Sequence, residues 1–338
     1  MNKIKFSMIV FICCFVLGAC AVNNADIEED TIKADLKETS DAENNDAEET
    51  GFPVSVNVDG KEVTIQEKPQ RILPLSLDGA EIVLDLVETN RVVAVSKSVA
   101  DPMISTQAEK AELIDERLAS ATNIDPEQIL SYDVDLLLLT KMHGQEADAD
   151  QLLQQAGVPI LSFDTVKTVD DLFTNIAVIG KAVGEKEKAD ALISSMKVEM
   201  EQIQSEFPAQ AEKPTILVLS EVGPGTGPYM LGPTNISYDL IKKAGGEPAV
   251  NLIGLDRTTK AEVEQVIKMD PDFLFLLDWQ GNGEDAYKEL MDAPGWNTLK
   301  AVQNGHVTIT EVKYIMNPNK EIVHGLKLMA ETINEALE

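Results

Sequence analysis

The stretch "EQILSYDVDLLLLT" occupies residues 127–140 and returns in altered form as "EQVIKMDPDFLFLL" at residues 264–277. Each copy starts with Glu-Gln, continues through two apolar residues and two spacers to Asp-x-Asp, and ends in a purely apolar run. These runs lack the alternation of polar and apolar residues that marks a half-exposed strand. They therefore predict strands of a parallel sheet that is covered on both faces.

The bulk composition narrows the class of protein. A chain of 338 residues suits two lobes of about 100–200 residues each, and 44% hydrophobic content is that of a globular protein. The formal charge of −30 argues against nucleic acid as a partner, because phosphate backbones bind to Lys/Arg patches. The only cysteines are Cys13, Cys14 and Cys20, so the body of the chain can hold neither a disulfide nor a cysteine–metal site.

Strand and helix patterns alternate on both sides of the doubled phrase. Strand patterns stand at 71–76, 91–96, 134–140, 158–164, 215–220, 272–277 and 306–311. Helical patterns stand at 79–87, 125–132, 149–157, 237–246, 261–269 and 319–337. This alternation predicts an α/β fold with doubly wound parallel sheets. An amino-terminal hairpin is also predicted at 54–65, where polar and apolar residues alternate around Asp59-Gly60.

The middle of the chain is helical. Apolar residues recur at helical spacing in 170–184 and again in 185–206. The second helix would be roughly 30 Å long, enough to cross from one lobe to another. A glycine-rich segment, 223–228, follows the strand pattern at 215–220 but lacks the Gly-Lys-Ser/Thr ending of a P-loop. We interpret it as a shaped loop at the carboxyl edge of a sheet, where cleft ligands lie.

The first fifty residues are predicted to be a targeting signal followed by a spacer. A basic start and the apolar run 8–19 predict a signal peptide over 1–19, with a single anchor helix as the alternative. The sequence "LGAC" at 17–20 resembles the bacterial lipobox, which implies a lipid on Cys20 and attachment to a membrane. The rest of 20–52 is rich in Asp and Glu and predicts a disordered tether, or alternatively an acidic partner-binding tail.

From residue 71 onward the chain resembles one family. The motifs that carry the resemblance are "EQILSYDVDLLLL", "KKAGGEPAV", "EQVIKMDPDFLFL" and "DAPGWNTLKAVQNGHVTIT", in this order. They are similar to those of ABC-importer substrate-binding lipoproteins that capture iron–siderophore complexes, heme and cobalamin. The resemblance implies an amino-terminal lobe at 53–185, a connecting helix at 186–206, a carboxyl-terminal lobe at 207–338, and a ligand cleft between the lobes. Each lobe would then hold one copy of the phrase.

The same resemblance implies partners and a location. Glu127 and Glu264 match the glutamates with which this family contacts arginines of the membrane permease. We therefore expect an ABC permease with its ATPase as partner, a small metal-chelate ligand, and a monomer anchored by lipid to the outer face of the cell membrane, as in Gram-positive bacteria. No enzymatic activity and no cofactor are expected. The alternative enzyme class is a chelatase of related fold, against which the lipobox and tether argue.

Ligand contacts are expected from side chains on the loops that border the cleft. The candidates are Lys97, Lys141, Met142, His143, Tyr229, Arg257, Trp279 and Tyr314, with Lys313 as a further basic loop position. His143 directly follows a strand pattern and should lie in the cleft, but it has no companion histidine for a bare-ion site. We therefore expect no direct metal ligand, because a chelated metal brings its own. His306 and His324 are interpreted as structural.

The kind of chelate is narrowed only in part. Catecholate-binding relatives place arginines after the strand that corresponds to 215–220, where this chain has Glu221. Heme-binding relatives often take an axial ligand from the loop that corresponds to 117–123, which offers no Tyr, His or Met here. A neutral or cationic ferric hydroxamate is therefore the favoured cargo, with cobalamin or heme as alternatives.

Overall fold

The apolar runs of the doubled phrase form the central strands of two parallel sheets. The computed structural model describes residues 51–118, 126–141, 157–209, 211–223 and 225–337. In the first sheet β6 lies between β3 and β7, and in the second β12 lies between β8 and β13, all in parallel register. These strands are β3 (Ile72–Pro74), β6 (Leu136–Thr140), β7 (Ile160–Phe163), β8 (Thr215–Ser220), β12 (Phe273–Asp278) and β13 (Val307–Glu311). The α/β fold with parallel sheets is thus confirmed.

Shorter strands complete the sheets. The predicted hairpin is present as two antiparallel strands, and a separate two-residue parallel pair forms from β4 and β5. In the second sheet β10 pairs with β8 in parallel, whereas β9 runs antiparallel to β8 and to β11. These strands are β1 (Val54–Val58), β2 (Lys61–Ile65), β4 (Val95–Ser96), β5 (Arg117–Leu118), β9 (Tyr229–Met230), β10 (Glu247–Pro248) and β11 (Thr259–Lys260).

The strand predicted at 91–96 is confirmed in part. Val92 forms a parallel bridge with Ile72 of β3, and the Val93 N–H donates to the Ile72 carbonyl at 3.0 Å. Val95–Ser96 pairs as β4, while Thr89–Arg91 forms a turn of 3-10 helix. The buried guanidinium of Arg91 donates to the carbonyls of Pro69 and Val183 at 2.6–2.9 Å.

Helices cover both sheets, and one of them joins the lobes. The helix at Lys186–Glu206 runs for 21 residues between the helix at Val169–Ala182, which ends the first lobe, and β8. The predicted helix at 149–157 lies outside the described residues apart from Gly157. The helices are α1 (Leu77–Leu86), α2 (Ala108–Glu112), α3 (Pro126–Ser131), α4 (Val169–Ala182), α5 (Lys186–Glu206), α6 (Ser237–Lys243), α7 (Val263–Met269), α8 (Lys288–Met291), α9 (Lys300–Gln303) and α10 (Ile322–Leu337). Within the described ranges, no helix is long and apolar enough to cross a membrane.

Each sheet is apolar on both faces, as the unbroken runs predict. Phe273, Phe275 and Leu277 of β12 point into one cluster, whereas Leu274 and Leu276 point into another. Strand β6 divides in the same way between the first of these clusters and a third one. The first cluster contains residues of both sheets and of α4, α5 and α10, so the two lobes share one apolar core. Each remaining cluster belongs to the outer face of one sheet.

Polar contacts also connect the lobes beside the shared core. The Lys320 ammonium lies 2.6 Å from Asp85 of α1. The Asn317 amide donates to the carbonyl of Ile104 at 2.9 Å, and the Lys313 ammonium donates to the carbonyl of Pro102 at 2.6 Å. The carboxyl-terminal segment that follows β13 is therefore tied to α1 and to the loop that precedes α2.

The Asp-x-Asp units organise the amino ends of the strands. Asp133 and Asp270, the first acids, take left-handed backbone conformations with φ of 49° and 44°. Asp135 accepts the backbone N–H groups of Gln70 and Arg71 at 2.7 and 2.9 Å. Asp272 accepts the N–H and the hydroxyl of Thr215, both at 2.8 Å.

The second acid of each unit is therefore more than a solvated turn residue. In each lobe the second acid binds the chain where it enters the neighbouring parallel strand. A carboxylate there satisfies donors that the start of a strand would otherwise leave without a partner.

Candidate functional site

The carboxyl ends of the parallel strands gather the polar side chains that border the cleft. In open α/β sheets ligands bind beyond these ends, since the loops there surround a crevice. In the second lobe Ser220 ends β8 and is followed by Glu221, and Asp278 ends β12 and is followed by Trp279. The first lobe contributes Thr140 at the end of β6.

Trp279 is held in place by Ser220. The indole N–H donates to the Ser220 hydroxyl at 2.9 Å, and that hydroxyl also lies 2.7 Å from the Glu221 carbonyl and 3.3 Å from the Met316 sulfur. Ser220 is fully buried, whereas Trp279 is half-buried and packs against the shared core. One face of the indole is therefore anchored while part of the ring stays accessible, as expected of a residue that contacts a ligand.

Two buried carboxylates lie next to Trp279. Glu221 is 3% exposed; it accepts the Gly225 N–H at 2.8 Å and the Gln280 side-chain amide at 3.3 Å. Asp278 is 8% exposed and accepts the backbone N–H groups of residues 280–283 at 2.8–3.3 Å. Asp278 thereby shapes the turn after β12, and Glu221 fixes the start of the glycine-rich loop.

Tyr287 lies beneath this part of the site. Its hydroxyl is 3.0 Å from the carbonyl of Leu219 and 2.7 Å from that of Leu277, so it connects β8 and β12 near their carboxyl ends. Burial raises the pKa of the Tyr287 phenol far above its ordinary value; the hydrogen bond to Leu277 opposes this, and the negative charges of Glu221 and Asp278 raise it further. The phenol is consequently a hydrogen-bond donor at any physiological pH.

The first lobe presents a smaller hydroxyl network. Thr140 lies within 2.8–3.0 Å of both carboxylate oxygens of Asp78 and of the Ser76 hydroxyl. The hydroxyl of Ser76 also accepts the Gly79 N–H and caps α1. This network ties the ends of β3 and β6 together.

Lys141 is already paired with acidic side chains. Its ammonium lies 3.2 Å from Asp59 in the hairpin turn and 3.1 Å from Asp164 after β7. Partial burial lowers the pKa of Lys141, but the hydrogen bonds and charges of Asp164 and Asp59 outweigh it and raise the pKa. The amine is thus positioned at the carboxyl edge, but its charge is more than balanced there.

Tyr314 and Lys313 follow β13 near the contact between the lobes. The Tyr314 ring packs against His324 with ring centroids 4.4 Å apart, so His324 supports a candidate ligand residue. Lys313 forms an ion pair with Glu311, and its pKa is lowered by burial but raised overall by that carboxylate. His306 stacks on Phe273 at 4.6 Å, which confirms its structural interpretation.

The remaining described candidates lie in short elements or loops of the two lobes. Lys97 is exposed in a 3-10 helix, Lys97–Ala100, that follows β4, and Arg257 is exposed in the loop before β11. Tyr229, assigned to a loop from sequence, instead belongs to β9, where it lies opposite Ser220. Met142 and His143 lie outside the described residues.

Several residues of the site were missed by sequence reasoning. Ser220 accepts the Trp279 N–H, Gln280 donates to Glu221, and Met316 contacts the Ser220 hydroxyl. None of these residues is basic, aromatic or a histidine. Their only signal was position, because Ser220 ends a predicted strand and Gln280 comes just after another. Across the described part of the chain, no group of three or more His, Cys, Asp or Glu side chains is arranged to hold a metal ion.

Two lobes with parallel sheets, a joining helix and polar carboxyl-end loops define a two-lobed binding-protein fold. The family model described as "Periplasmic binding protein" matches residues 72–314. The chain therefore belongs to this family, whose members are solute-binding transport proteins.

Known proteins and structures of this kind resemble the chain along most of its length. It is 25% identical over 286 residues to the ABC transporter substrate-binding lipoprotein YvrC of Bacillus subtilis, covering 83% of this chain and 86% of that protein. It is 24% identical over 291 residues to a cobalamin-binding protein of Halobacterium salinarum, covering 84% and 74%.

Two solved structures share the fold. A component of the ABC-type Fe3+-hydroxamate transport system of Saccharomonospora viridis matches with a TM-score of 0.68 at 22% identity, covering 83% of this chain and 99% of that one. The periplasmic heme-binding protein RhuT of Roseiflexus, in apo form, matches with a TM-score of 0.67 at 20% identity, covering 80% and 99%.

Proposed function

We propose that this protein is a lipid-anchored, extracytoplasmic binding protein that captures a ferric hydroxamate siderophore and delivers it to an ABC importer. At the broader level it is a substrate-binding protein of an ABC importer for iron chelates, heme or cobalamin. A permease with its ATPase and a small ligand are its implied partners, and its location is extracytoplasmic. The proposal includes that it acts as a monomer and catalyses no reaction.

The observation that carries the ligand assignment is the combination of Trp279 with Glu221. An accessible indole offers apolar surface to the hydrocarbon linkers of a hydroxamate chelate. The neighbouring buried carboxylate disfavours a highly anionic tricatecholate, since like charges brought together in a desolvated cleft cost free energy. Tyr314 and Tyr229 add aromatic surface nearby on the same lobe.

Cobalamin is the second candidate. The specific observation in its favour is the similarity to a cobalamin-binding protein along 84% of the chain. A corrinoid also presents a large apolar surface that would suit Trp279, and it carries no cluster of negative charges that Glu221 would repel.

One titration separates these ligands. The chain has two tryptophans; Trp296 is 2% exposed in the outer cluster of the second lobe, whereas Trp279 borders the cleft. Ferric hydroxamates should quench the fluorescence of the protein from Thr50 onward, and should still do so in Trp296→Phe but not in Trp279→Phe. Hemin and cobalamin are titrated in parallel by their absorption. Silence towards all three ligands, together with a chelatase or hydrolase activity, would reverse the proposal.

Docking on the permease is assigned to the two glutamates that begin the doubled phrase. Glu127 and Glu264 are exposed, and each lies in the first turn of a short helix, α3 or α7. A helix dipole alone favours a carboxylate there by up to about 1 kcal/mol, which is the purely structural explanation. Two like charges, one in each lobe, are also suited to meet a pair of basic pockets. Charges of this kind orient a complex more than they add affinity.

Attachment to the membrane is assigned to Cys20, which lies outside the described residues together with the acidic segment that follows it. A diacylglycerol on Cys20 would supply the membrane affinity, and the acidic tether would hold the lobes away from an anionic surface. Cys20→Ser should release the protein from the membrane without changing its ligand affinity. Retention of the processed Cys20→Ser protein at the membrane would refute the lipoprotein assignment.

A further inference from the structure

The negative charges at the carboxyl ends of β8 and β12 are held by neutral groups. Glu221 accepts one backbone N–H and one side-chain amide, and Asp278 accepts backbone N–H groups alone. Among the described residues, no Lys, Arg or His lies within 4.0 Å of either carboxylate. Hydrogen bonds from neutral donors stabilise a carboxylate but do not cancel its charge.

The basic side chains that follow the neighbouring parallel strands β6 and β13 do not compensate. Lys141 is shared between Asp59 and Asp164, and Lys313 is paired with Glu311. Carboxylates therefore outnumber amines in these pairs. Lys97 and Arg257 are exposed, where water and salt weaken their influence on the cleft.

The influence of the two carboxylates extends beyond their own hydrogen bonds. The pKa of Tyr287 is raised mainly by burial, and the charges of Glu221 and Asp278 raise it further although Tyr287 bonds to neither of them. A charge that acts on a buried phenol also acts on a ligand bound at the same strand ends, because little water separates the two.

Asp278 and Glu221 differ in how much hydrogen-bonding capacity they have left for a ligand. Asp278 is committed to the turn after β12 by its four hydrogen bonds of 2.8–3.3 Å. Glu221 uses one oxygen for Gly225, while its other oxygen receives only the longer, 3.3 Å bond from Gln280. An ammonium donor can replace Gln280 there without disturbing the loop.

We propose that Glu221 makes the cleft selective for chelates with a positive charge, namely ferric trihydroxamates that carry a pendant ammonium group. This inference rests on the proposed function and narrows it. The Glu221 carboxylate attracts the ammonium group directly or through Gln280, and Asp278 adds a fixed negative charge behind it. The hydroxamate iron centre itself needs no protein ligand.

A series of ligands that differ only in charge tests this selectivity. Ferrioxamine B has a protonated amine at neutral pH; its N-acetyl derivative is neutral, and its N-succinyl derivative is anionic. Calorimetric titration of the protein from Thr50 onward should give about tenfold weaker binding at each step, because one unit of ligand charge beside a partly desolvated carboxylate changes the binding free energy by about that much. High salt should reduce these differences but leave some of them, because the carboxylates are buried.

Two variants connect the selectivity to Glu221. Glu221→Gln keeps an acceptor for the Gly225 N–H and removes the charge, so it should lose most of the preference for the cationic over the neutral ligand and keep only the smaller part that Asp278 supplies. Glu199→Gln changes the charge equally on the exposed face of α5 and should behave like the wild type. The affinity of the neutral ligand should stay within about twofold in Glu199→Gln, and in Glu221→Gln the measured quantity is the ratio of the cationic to the neutral affinity within the same variant.

Each outcome gives a decision. Equal wild-type affinities for the three ligands overturn the selectivity while hydroxamate binding stands. A charge preference that is undiminished in Glu221→Gln removes Glu221 as its cause. Binding of none of the three ligands to the wild type refutes the hydroxamate assignment and this inference with it.

Discussion

The two lobes are alike at the amino ends of their strands and different at the carboxyl ends. Asp135 and Asp272 each bind the chain at the start of the neighbouring parallel strand, at 2.7–2.9 Å. At the carboxyl ends, β6 finishes in Thr140 within a hydroxyl network. Strand β8 ends in Ser220, whose hydroxyl accepts the indole N–H of Trp279, and the buried carboxylate of Glu221 follows directly in the chain.

This difference indicates that the amino ends of the strands serve the fold, whereas the carboxyl ends form the binding surface. The amino ends must satisfy backbone donors in both lobes, so the same residue type serves both. The carboxyl ends carry no such common requirement and can present different chemistry to opposite sides of a ligand. We therefore expect changes at the amino ends to affect stability and changes at the carboxyl ends to affect binding.

The largest effect is expected where the two copies begin. Reversing both Glu127 and Glu264 to Arg should abolish ligand-dependent transport by the cognate permease in vesicles, and each single reversal should weaken it. Fold and ligand affinity should stay nearly unchanged, because both side chains are exposed. Reversal of Glu199 and Glu201 on α5 is the control for charge alone. Normal transport by the Glu127/Glu264 double variant would contradict the docking role and mean that the two phrases only repeat the fold.

The amino ends can be compared directly by removing each second acid. Asp272→Ala leaves two partly buried groups of Thr215 without an acceptor and should cost about 2–3 kcal/mol of unfolding free energy. Asp135→Ala should cost about 1 kcal/mol, since its backbone partners lie near water that can replace the carboxylate. Urea unfolding measures both values. Equal costs would contradict the assignment of different burial to the two sites.

The roles of the two carboxyl ends can be compared by removing one hydroxyl group from each lobe. Ser220→Ala and Thr140→Val should each cost about 1 kcal/mol of stability, as typical for one hydrogen-bonding group. Only Ser220→Ala should shift the emission of Trp279 and weaken its quenching by ligand, because the indole loses its acceptor. A similar change in Thr140→Val would mean that the lobes are coupled through the cleft even without ligand.

The smallest effect concerns the buried carboxylate of the first lobe. Glu81 is 1% exposed; burial raises its pKa above the ordinary value of 4.5, against the hydrogen bonds from Ser105 and Thr106. A raised pKa means that the native state holds this proton more tightly than the unfolded state. The contribution of the Glu81 proton to the free energy of unfolding is therefore full below pH 4.5. It is lost as the pH rises through the raised pKa of the native state.

The wild type should accordingly gain stability relative to Glu81→Gln as the pH falls from 7 towards 4.5. Urea unfolding at several pH values measures this difference, with the exposed Glu88→Gln as control. A difference that stays constant with pH would show that the Glu81 proton is not linked to folding.

The sequence by itself determined the strands and helices that depend on local periodicity. The run at 134–140 needed only its own apolar residues to become β6, and the spacing of apolar residues in 319–337 was sufficient for α10. Such patterns act within one or two turns or a single strand, so one sequence contains all the information they need. The strand predicted at 91–96 formed only in part, since the place where Val92 and Val93 pair is set by Ile72 of β3, which lies about twenty residues away in sequence.

Only the tertiary structure decided how the candidate site residues are used. Lys141 was predicted to meet a ligand, yet its charge is taken by Asp59 and Asp164, which lie far from it in sequence. Trp279 was found from its residue type, whereas the hydroxyl that holds it comes from another strand. Ion pairs and hydrogen bonds form between groups that folding brings within about 3 Å, and sequence spacing does not encode that distance.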